Sequence, residues 1–322
     1  MKIGITKFGS IISEEKGLNN NIGHMLEIFN LADILSKEHE VVITNNLRKP
    51  RKYKEWKGDK LDMLIVFNGA IGKNNTTKFG KTTLQMLERY TYPVIETINK
   101  LDCPYIYIQP DIRYKISRIN TEELKRQPDK IITLVGDEDY FDFDKLWLYG
   151  REFDDEIEKT IKFGLMYNDT NDNKTKKILN LINHLDSFEG IPTELKGKFK
   201  QDIKENSGIL KEGEYYDFLK KIKYTVNLAS NDKQITPRIW DCFMNDVVAF
   251  TSDFDKGFKV LPENDYLRIE DNFHLAEKID ELEHDEKMYK ELLERQRSLV
   301  KPEYLDGSFI LNKFNNLFKE LI

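Results

Sequence analysis

The chain repeats one pattern, a short apolar run followed by a stretch with helical spacing, and this alternation limits its fold more than any other feature. The first run, Lys2–Thr6, precedes Asn21–Lys37, where apolar residues recur every three or four positions. Further strands are predicted at Glu40–Thr44, Leu61–Phe67, Pro104–Ile108, Lys130–Val135 and, more weakly, Lys145–Tyr149, with a helix at Leu84–Lys100 that Tyr92-Pro93 interrupts. Alternating strands and helices predict a doubly wound α/β domain.

The same alternation starts again after an acidic segment, Glu152–Glu158, which we interpret as an interdomain connection. Strands are predicted at Thr160–Met166, Ser207–Leu210, Tyr224–Leu228, Val247–Phe250 and Phe258–Leu261, and helices at Lys174–Leu185, Glu214–Ile222, His274–Val300 and Ser308–Leu321. Residues 195–205 fit either a helix or irregular structure. We therefore predict two Rossmann-like domains facing each other across a central cleft, one of residues 1–155 completed by a C-terminal helix at 306–322, the other of residues 156–305.

Charge is distributed unevenly between the two halves. Residues 1–130 carry 22 Lys and Arg against 16 Asp and Glu, a net charge of +6, whereas the remainder carries 28 against 40, a net charge of −12. A basic first half suggests that this domain faces a polyanion, although chance segregation of solvated charges explains the imbalance equally simply. Apolar runs are too short to cross a bilayer, so no membrane partner is expected, and the start reads as a strand rather than a signal peptide.

Two segments of the first half carry much of this positive charge. Residues 45–60 hold seven Lys and Arg, including Arg51 and Lys52, interleaved with Tyr53 and Trp56. Residues 68–83 form a glycine-rich loop past the third strand and contain Lys73, Lys78 and Lys81. Basic residues mixed with aromatics suit a phosphate backbone, but such runs are also common in solvated loops.

The second half centres on Gln234–Asn245, where Thr236 is suited to cap a helix and Pro237 to begin it. Arg238 then lies in the first turn, and Asp241 follows on the same helical face. A guanidinium for a diphosphate and a carboxylate for two ribose hydroxyls would have this form. The alternative is an exposed ion pair between these two residues on a helix that is buried through its apolar side.

Several common sites are excluded by their missing motifs. No Gly-x-Gly-x-x-Gly follows the first strand and no phosphate-binding loop ends in Lys-Ser/Thr, which argues against a dehydrogenase or a P-loop NTPase. No Gly-x-Ser-x-Gly elbow or Cys/His nucleophile pair is present. The two cysteines, Cys103 and Cys242, fall in predicted core elements, and the five histidines show no metal-ligand spacing, so neither a disulfide nor a zinc site is expected.

Two further positions are candidates for chemistry. Asp111 lies just past the Pro104–Ile108 strand, where a partly desolvated carboxylate would accept a proton from an attacking hydroxyl. Its alternative is a structural role in the turn after Pro110 or a pair with Arg113. Lys174 opens a helix after the polar turn at residues 168–173, where it would take a phosphate or simply be solvated.

These residues resemble the DNA β-glucosyltransferase family of T-even phages. Gln234–Asp241, the downstream Phe254-Asp255 and the long charged helix to Val300 are similar to its second domain, which has a Thr-Leu-Arg-Val-Trp-Glu stretch in this setting. Pro104–Arg113 looks like its Tyr-Leu-Phe-Thr-Asp-Ile-Arg segment. Element order agrees over nearly the whole chain, while side chains match densely only near 103–113 and 235–300.

The resemblance implies a GT-B fold and an inverting transfer of glucose from UDP-glucose to the hydroxymethyl group of a modified pyrimidine in double-stranded phage DNA. It implies Asp111 as general base, Arg238 as diphosphate ligand and Asp241 as ribose ligand, where the family has Glu. Residues 1–155 would bind DNA and residues 156–305 the nucleotide sugar. Candidate residues for these two sites are Arg113, Lys73, Lys78, Lys81, Arg51 and Lys52 for DNA, and Lys174 and Asn168 for the donor.

The resemblance also implies a monomer in the cytoplasm of an infected bacterium, with no essential metal and Mg²⁺ at most stimulatory. The chain departs from the family in the predicted turn at residues 167–174, where the family has Gly-Gly-Ser-Phe-Arg-Ser-Gly-Gln-Arg. This chain lacks one of the two phosphate-binding arginines of that segment and has Lys174 at the place of the other. Two alternatives stay open: a GT-B transferase for a small molecule or glycan, and a non-catalytic relative that binds DNA or nucleotide.

Overall fold

A computed structural model describes most of the chain. The described residues are 1–8, 12–13, 23–44, 47–48, 52–67, 92–109, 124–133, 143–153, 158–167, 172–197, 208, 214–227, 238–252, 261 and 265–322. The chain divides into two compact units, the first of Met1–Tyr149 with Asp306–Ile322 and the second of Gly150–Leu305. The sequence analysis placed the first boundary at residue 155 and assigned the C-terminal helix to the first domain.

Unit 1 contains a six-stranded, entirely parallel sheet. Its strands are β1 (Lys2–Lys7), β3 (Glu40–Ile43), β5 (Lys54–Glu55), β6 (Met63–Phe67), β7 (Tyr105–Gln109) and β8 (Lys130–Thr133), in the order β5-β3-β1-β6-β7-β8. A separate two-stranded sheet pairs β2 (Ile12–Ser13) with β4 (Leu47–Arg48). The order reverses direction beside β1, as in a doubly wound sheet, which confirms the predicted fold class for this unit.

Both faces of this sheet are covered. On one face, Ile3, Ile5 and Ile65 pack against α1 (Gly23–Leu35), a 3-10 helix (Phe143–Leu148) and α9 (Ser308–Leu321). On the other face, Val42, Leu64 and Val66 pack against α2 (Tyr92–Lys100). A parallel sheet buried on both faces explains why its strands read as continuous apolar runs rather than as alternating ones.

Helix α9 belongs to unit 1 although it is encoded after all of unit 2. Phe314 is fully buried in the unit 1 core, and Asn315 bridges to His39, whose Nε2 lies 2.8 Å from the Asn315 Oδ1. Gly307 precedes the helix with φ 77°, and a Cβ there would lie 2.6 Å from the Cγ1 of Ile34 and 2.8 Å from the Cδ2 of Tyr149. Only glycine combines this backbone with so close an approach.

Unit 2 contains a second parallel sheet, in the order β10-β9-β11-β12-β13. Its strands are β9 (Ile161–Met166), β10 (Thr193–Lys196), β11 (Ile222–Asn227), β12 (Val248–Ser252) and β13 (Arg268–Ile269). Its helices are α3 (Asp172–Asn183), a π-helical turn (His184–Phe188), α4 (Glu214–Lys221), α5 (Arg238–Met244), α6 (Asn272–His284), α7 (Glu286–Ser298) and α8 (Pro302–Leu305). This order again reverses between β9 and β11, so the predicted class is confirmed here too.

Some sequence predictions were wrong in detail. Residues 145–149, predicted weakly as a strand, lie in and after the 3-10 helix, and β10 and β13 were not predicted. The single helical region predicted at His274–Val300 is two helices, because Asp285 leaves helical geometry (φ −126°, ψ 86°) and its carboxylate accepts the amide of Met288 to cap α7. Most of the strands predicted at 207–210 and 258–261 lies outside the described residues.

Among the helices that the structure describes, none is both long enough and apolar enough to span a bilayer.

Candidate functional site

The residues predicted to bind the acceptor lie mostly outside the described part of the chain. Lys52 is described; it is exposed, and its Nζ lies 2.6 Å from the Oδ1 of Asp33 and 5.6 Å from the centre of the Tyr53 ring. Outside the described residues lie Asp111, Arg113, Lys73, Lys78, Lys81 and Arg51. Because β7 ends at Gln109, Asp111 follows the strand by two residues, and its role stays a prediction.

On the donor side, two of the four predicted residues have described side chains. Asn168 lies outside the described residues, and Lys174 lies in the first turn of α3 with its side chain outside them. Arg238 and Asp241 both lie on α5, where the sequence analysis placed a helix.

Helix α5 is held rigidly by its apolar side chains. Ile239, Trp240 and Phe243 are fully buried, and the Trp240 ring meets those of Phe243 and Tyr304 at centroid distances of 5.8 and 6.5 Å. At the end of the helix, Lys159 donates from Nζ to the carbonyl of Asn245 at 2.6 Å. A helix anchored in this way presents its first turn in one fixed position.

Asp241 is buried, which excludes the predicted alternative of an exposed ion pair with Arg238. Only 1% of the residue is accessible, and its two carboxylate oxygens accept hydrogen bonds from different partners. The Tyr215 hydroxyl donates to Oδ2 at 2.9 Å, and Nη1 of Arg151 donates to Oδ1. The Arg151 guanidinium also lies over the Tyr216 ring, 5.1 Å from its centre. The network around Asp241 is thus a buried carboxylate surrounded by a half-buried guanidinium and two half-buried phenols.

The protonation states of this network follow from burial and from the carboxylate charge. Burial raises the pKa of the Tyr215 phenol well above its ordinary value, and the negative charge of Asp241 raises it further. Burial acts to lower the pKa of Arg151, but the negative charge of Asp241 and its hydrogen bond outweigh this effect and raise that pKa overall. Tyr215 is therefore a neutral donor and Arg151 a permanent cation.

The network lies at the carboxyl edge of the unit 2 sheet. Helices that connect parallel strands run back along the sheet, so they begin at the edge where the strands end. Tyr215 is in the first turn of α4, which leads into β11, and Asp241 is in the first turn of α5, which leads into β12. Open α/β sheets bind their ligands at this edge.

Arg238 lies beside the network and is half-buried. It precedes Asp241 by three residues on α5, so the two residues lie on the same face of the helix. Within the part of the chain that the structure describes, no hydrogen bond or ion pair occupies this guanidinium. Arg238 is thus a cation available for an anionic ligand.

Among the residues that the structure describes, neither a metal centre nor a reactive thiol lies near this network. The described residues contain no group of three or more His, Cys, Asp and Glu side chains placed to hold a metal ion. Burial raises the pKa of the Cys242 thiol to about 12, so the thiol is protonated and inert at neutral pH.

The sequence analysis missed Arg151 and Tyr215. Arg151 stands next to a segment interpreted as a connector, and its partner is 90 residues away in sequence. Tyr215 looked like one aromatic among several in an amphipathic helix. Neither position has a local signal, because the contact is made only when the strands bring α4 and α5 together.

Comparison with known proteins gives the fold a precedent. Residues 176–305 match the family model described as glycosyl transferase-like. Among curated proteins there was no match.

Solved structures resemble the chain over its full length. A DNA-modifying β-glucosyltransferase studied with and without uridine diphosphoglucose is 17% identical and has a TM-score of 0.75, with 99% of this chain and 100% of that one covered. T4 phage β-glucosyltransferase is 16% identical, with 100% and 99% covered and a TM-score of 0.68. An α-glucosyltransferase bound to UDP-glucose and DNA with an abasic site is 13% identical, with 99% of each chain covered and a TM-score of 0.64.

At these identities the likeness establishes the fold. The two parallel sheets of this chain, each in its own unit, agree with that fold. The chain has the GT-B fold and resembles the phage DNA glucosyltransferases along its entire length.

Proposed function

We propose that the protein is an inverting glycosyltransferase that moves glucose from UDP-glucose to the hydroxymethyl group of a modified pyrimidine in double-stranded phage DNA, acting as a monomer in the infected host's cytoplasm. The observation that carries this proposal is the full-length likeness to a DNA-modifying β-glucosyltransferase. Two features of this chain support the proposal: its first half is basic, and its second half matches a glycosyl transferase-like family model.

In the proposed reaction, unit 2 binds the donor. The leaving UDP carries negative charge that must be neutralised as the glycosidic bond breaks. Arg238, which is half-buried and has no described partner, is the cation best suited to one of its phosphates, and Lys174 is a second candidate. The ribose role predicted for Asp241 meets an obstacle, because both carboxylate oxygens already accept hydrogen bonds.

Unit 1 binds the acceptor in this proposal. Asp111 takes the proton from the hydroxymethyl oxygen, which attacks the anomeric carbon from the side opposite UDP and so inverts its configuration. The phosphodiester backbone of DNA meets the basic segments that contain Lys52, Arg51 and Lys73 to Lys81, with Arg113 beside the base. An enzyme that reaches a base inside a duplex must draw the target nucleotide out of the stack.

The decisive experiment measures UDP release from UDP-glucose in the presence of duplex DNA with or without hydroxymethylated pyrimidines, each with and without Mg²⁺. We expect release that depends on the hydroxymethyl group and is abolished by Asp111→Asn. Asp102→Asn is a matched control, since Asp102 is exposed, precedes the same strand and undergoes the same chemical change. Equal release with unmodified DNA, or full activity in Asp111→Asn, would contradict the proposal.

A second candidate is a GT-B transferase that acts on a small molecule or a glycan. It is favoured by the family match, which lies entirely within unit 2 and therefore says nothing about the acceptor. DNA binding that weakens steeply with salt separates the two, because each neutralised phosphate contributes a slope of about −0.9 to log K against log[salt]. A protein that binds donor and DNA without turnover would instead be a non-catalytic relative.

A further inference from the structure

The Arg151 guanidinium has more hydrogen-bond donors than its surroundings use. It carries five N–H groups, and among the described residues one of them is bonded, to the Oδ1 of Asp241. The side chain is 18% exposed, so most of it is withdrawn from water. Buried guanidinium groups usually satisfy their donors, because an unmade hydrogen bond to a charged group is costly. The remaining donors of Arg151 are therefore available to an anionic ligand.

The Asp241 carboxylate is not available to a further ligand group. Its side chain is 2% exposed, and the Tyr215 hydroxyl and Arg151 engage one oxygen each. A ribose would have to enter a space from which solvent is already excluded. The side chains of the network that still reach solvent are those of Arg151 and the two tyrosines, so a ligand meets the guanidinium before it meets the carboxylate.

The surroundings of Arg151 are cationic on balance. Arg238 precedes Asp241 by about one helical turn on the same face of α5, and Arg151 is paired with Asp241. Two guanidinium groups thus lie around one carboxylate at the carboxyl edge of the sheet. An excess of positive charge in a desolvated place favours a ligand with at least one negative charge.

We infer that Arg151 is a phosphate ligand of the donor site in unit 2, and that Asp241 is the carboxylate that positions it. The inference rests on the proposed function for the identity of the donor, but its core is the placement of an incompletely bonded guanidinium beside Arg238. The ligand class is a diphosphate, because two neighbouring guanidinium groups match two neighbouring phosphates.

Three contacts fix the guanidinium for this task. Asp241 sets the position of Nη1, and the Tyr216 ring supports the planar face at 5.1 Å. The Tyr215 hydroxyl in turn holds Asp241. A pre-positioned guanidinium loses little entropy when it binds an anion. Arg151 would also replace an arginine that the sequence at residues 167–174 lacks in comparison with the phage family.

The test compares three ligands on the full-length protein. UDP and inorganic pyrophosphate are titrated by calorimetry, and uridine, which binds more weakly without phosphates, is measured by ligand-observed NMR. The variants are Arg151→Met, Arg151→Lys and Asp241→Asn. Arg295→Met is the matched control, because Arg295 also pairs with an aspartate of unit 2, at 2.5 Å from Asp265, but lies elsewhere.

We expect Arg151→Met to weaken UDP and pyrophosphate roughly 10- to 100-fold, the range for a hydrogen bond to a charged group, and to leave uridine unchanged. Arg151→Lys keeps the charge but not the planar fork, so it should weaken UDP by a smaller factor. If Arg151→Met fails to fold, this second variant carries the test. Asp241→Asn should also weaken UDP and spare uridine, because a positioning residue does not touch the nucleoside.

Unchanged UDP binding in both Arg151 variants, with normal binding by the wild type, would overturn the inference and leave the proposed function standing. Equal losses for uridine and UDP would mean that Arg151 is only structural. Weaker uridine binding in Asp241→Asn would restore the ribose role and overturn the positioning role. A wild type that binds pyrophosphate through Arg151 but no uridine nucleotide would instead refute the proposed donor.

Discussion

Replacing Asp241 by Asn tests how much the buried ion pair contributes to the stability of unit 2. The substitution preserves shape and leaves an oxygen for Tyr215, but it removes the counter-charge of a guanidinium that is 18% exposed. Breaking a fully buried pair costs about 3–5 kcal/mol and an exposed pair about 0–1 kcal/mol. Since Arg151 keeps some contact with water, we expect a loss of about 2–4 kcal/mol in the free energy of unfolding.

The measurement needs a signal from unit 2 alone, because a protein of two units need not unfold in one step. Trp240 provides it, since the other two tryptophans, Trp56 and Trp147, belong to unit 1. In a Trp56→Phe/Trp147→Phe background, urea unfolding followed by tryptophan fluorescence reports the environment of α5 directly.

The double variant Arg151→Met/Asp241→Asn makes the reasoning falsifiable. With no charge left unpaired, it should be more stable than Asp241→Asn alone, and the difference is the cost of an orphaned guanidinium. Lys287→Met, which removes an ion pair with Glu291 whose two side chains are 86% and 64% exposed, should cost far less than Asp241→Asn. If Asp241→Asn costs as little as that control, or if the double variant is the least stable, the pair does not act as a buried ion pair.

Three further predictions concern other parts of the molecule. Gly307→Ala should lower the melting temperature of unit 1 more than Gly58→Ala. Both glycines have positive φ, but of the two only Gly307 has side-chain atoms within 3 Å of the Cβ that alanine would add. Equal shifts in melting temperature would refute the packing argument. Cys242 should resist thiol reagents in folded protein at pH 8, since its pKa is about 12, and react once urea unfolds unit 2; labelling of native Cys242 would show that α5 opens. Burial acts to raise the pKa of Glu283, but hydrogen bonds from Lys223 and neighbouring donors outweigh burial and lower that pKa overall. The carboxylate therefore stabilises the folded state at neutral pH, and this stabilisation is lost as the pH falls below 4.5. Accordingly, the stability difference between wild type and Glu283→Gln in urea should shrink between pH 7 and pH 4, and a constant difference would disprove the linkage.

Much of the fold could be predicted from sequence because parallel strands buried on both faces leave a strong signal. The runs around Ile5, Ile65 and Ile106 are apolar throughout, and the helix predicted at Ser308–Leu321 has the bounds that the structure gives it. Weak elements were missed where this signal fails. β10 has the sequence Thr-Glu-Leu-Lys with only Leu195 fully buried, so it does not read as a core strand.

The candidate site was predictable only where its residues are neighbours in sequence. Arg238 and Asp241 were found together because a helix places them three residues apart on one face. Arg151 reaches Asp241 from 90 residues away, and Tyr215 from 26, so their roles depend on sheet order rather than on local pattern. The burial of Asp241 could not be anticipated either, since an aspartate in the first turn of a helix is usually solvated.

The return of α9 to unit 1 has a consequence for synthesis on the ribosome. Residues 308–321 emerge only after all of unit 2, so the face of the sheet that Phe314 covers stays open while the second unit is made. At about 5–20 residues per second, that interval is on the order of 10–30 s. We expect unit 2, which is continuous in the chain, to fold before the unit that precedes it. A released chain truncated after Leu305 should therefore resist protease in unit 2 and be cut in unit 1.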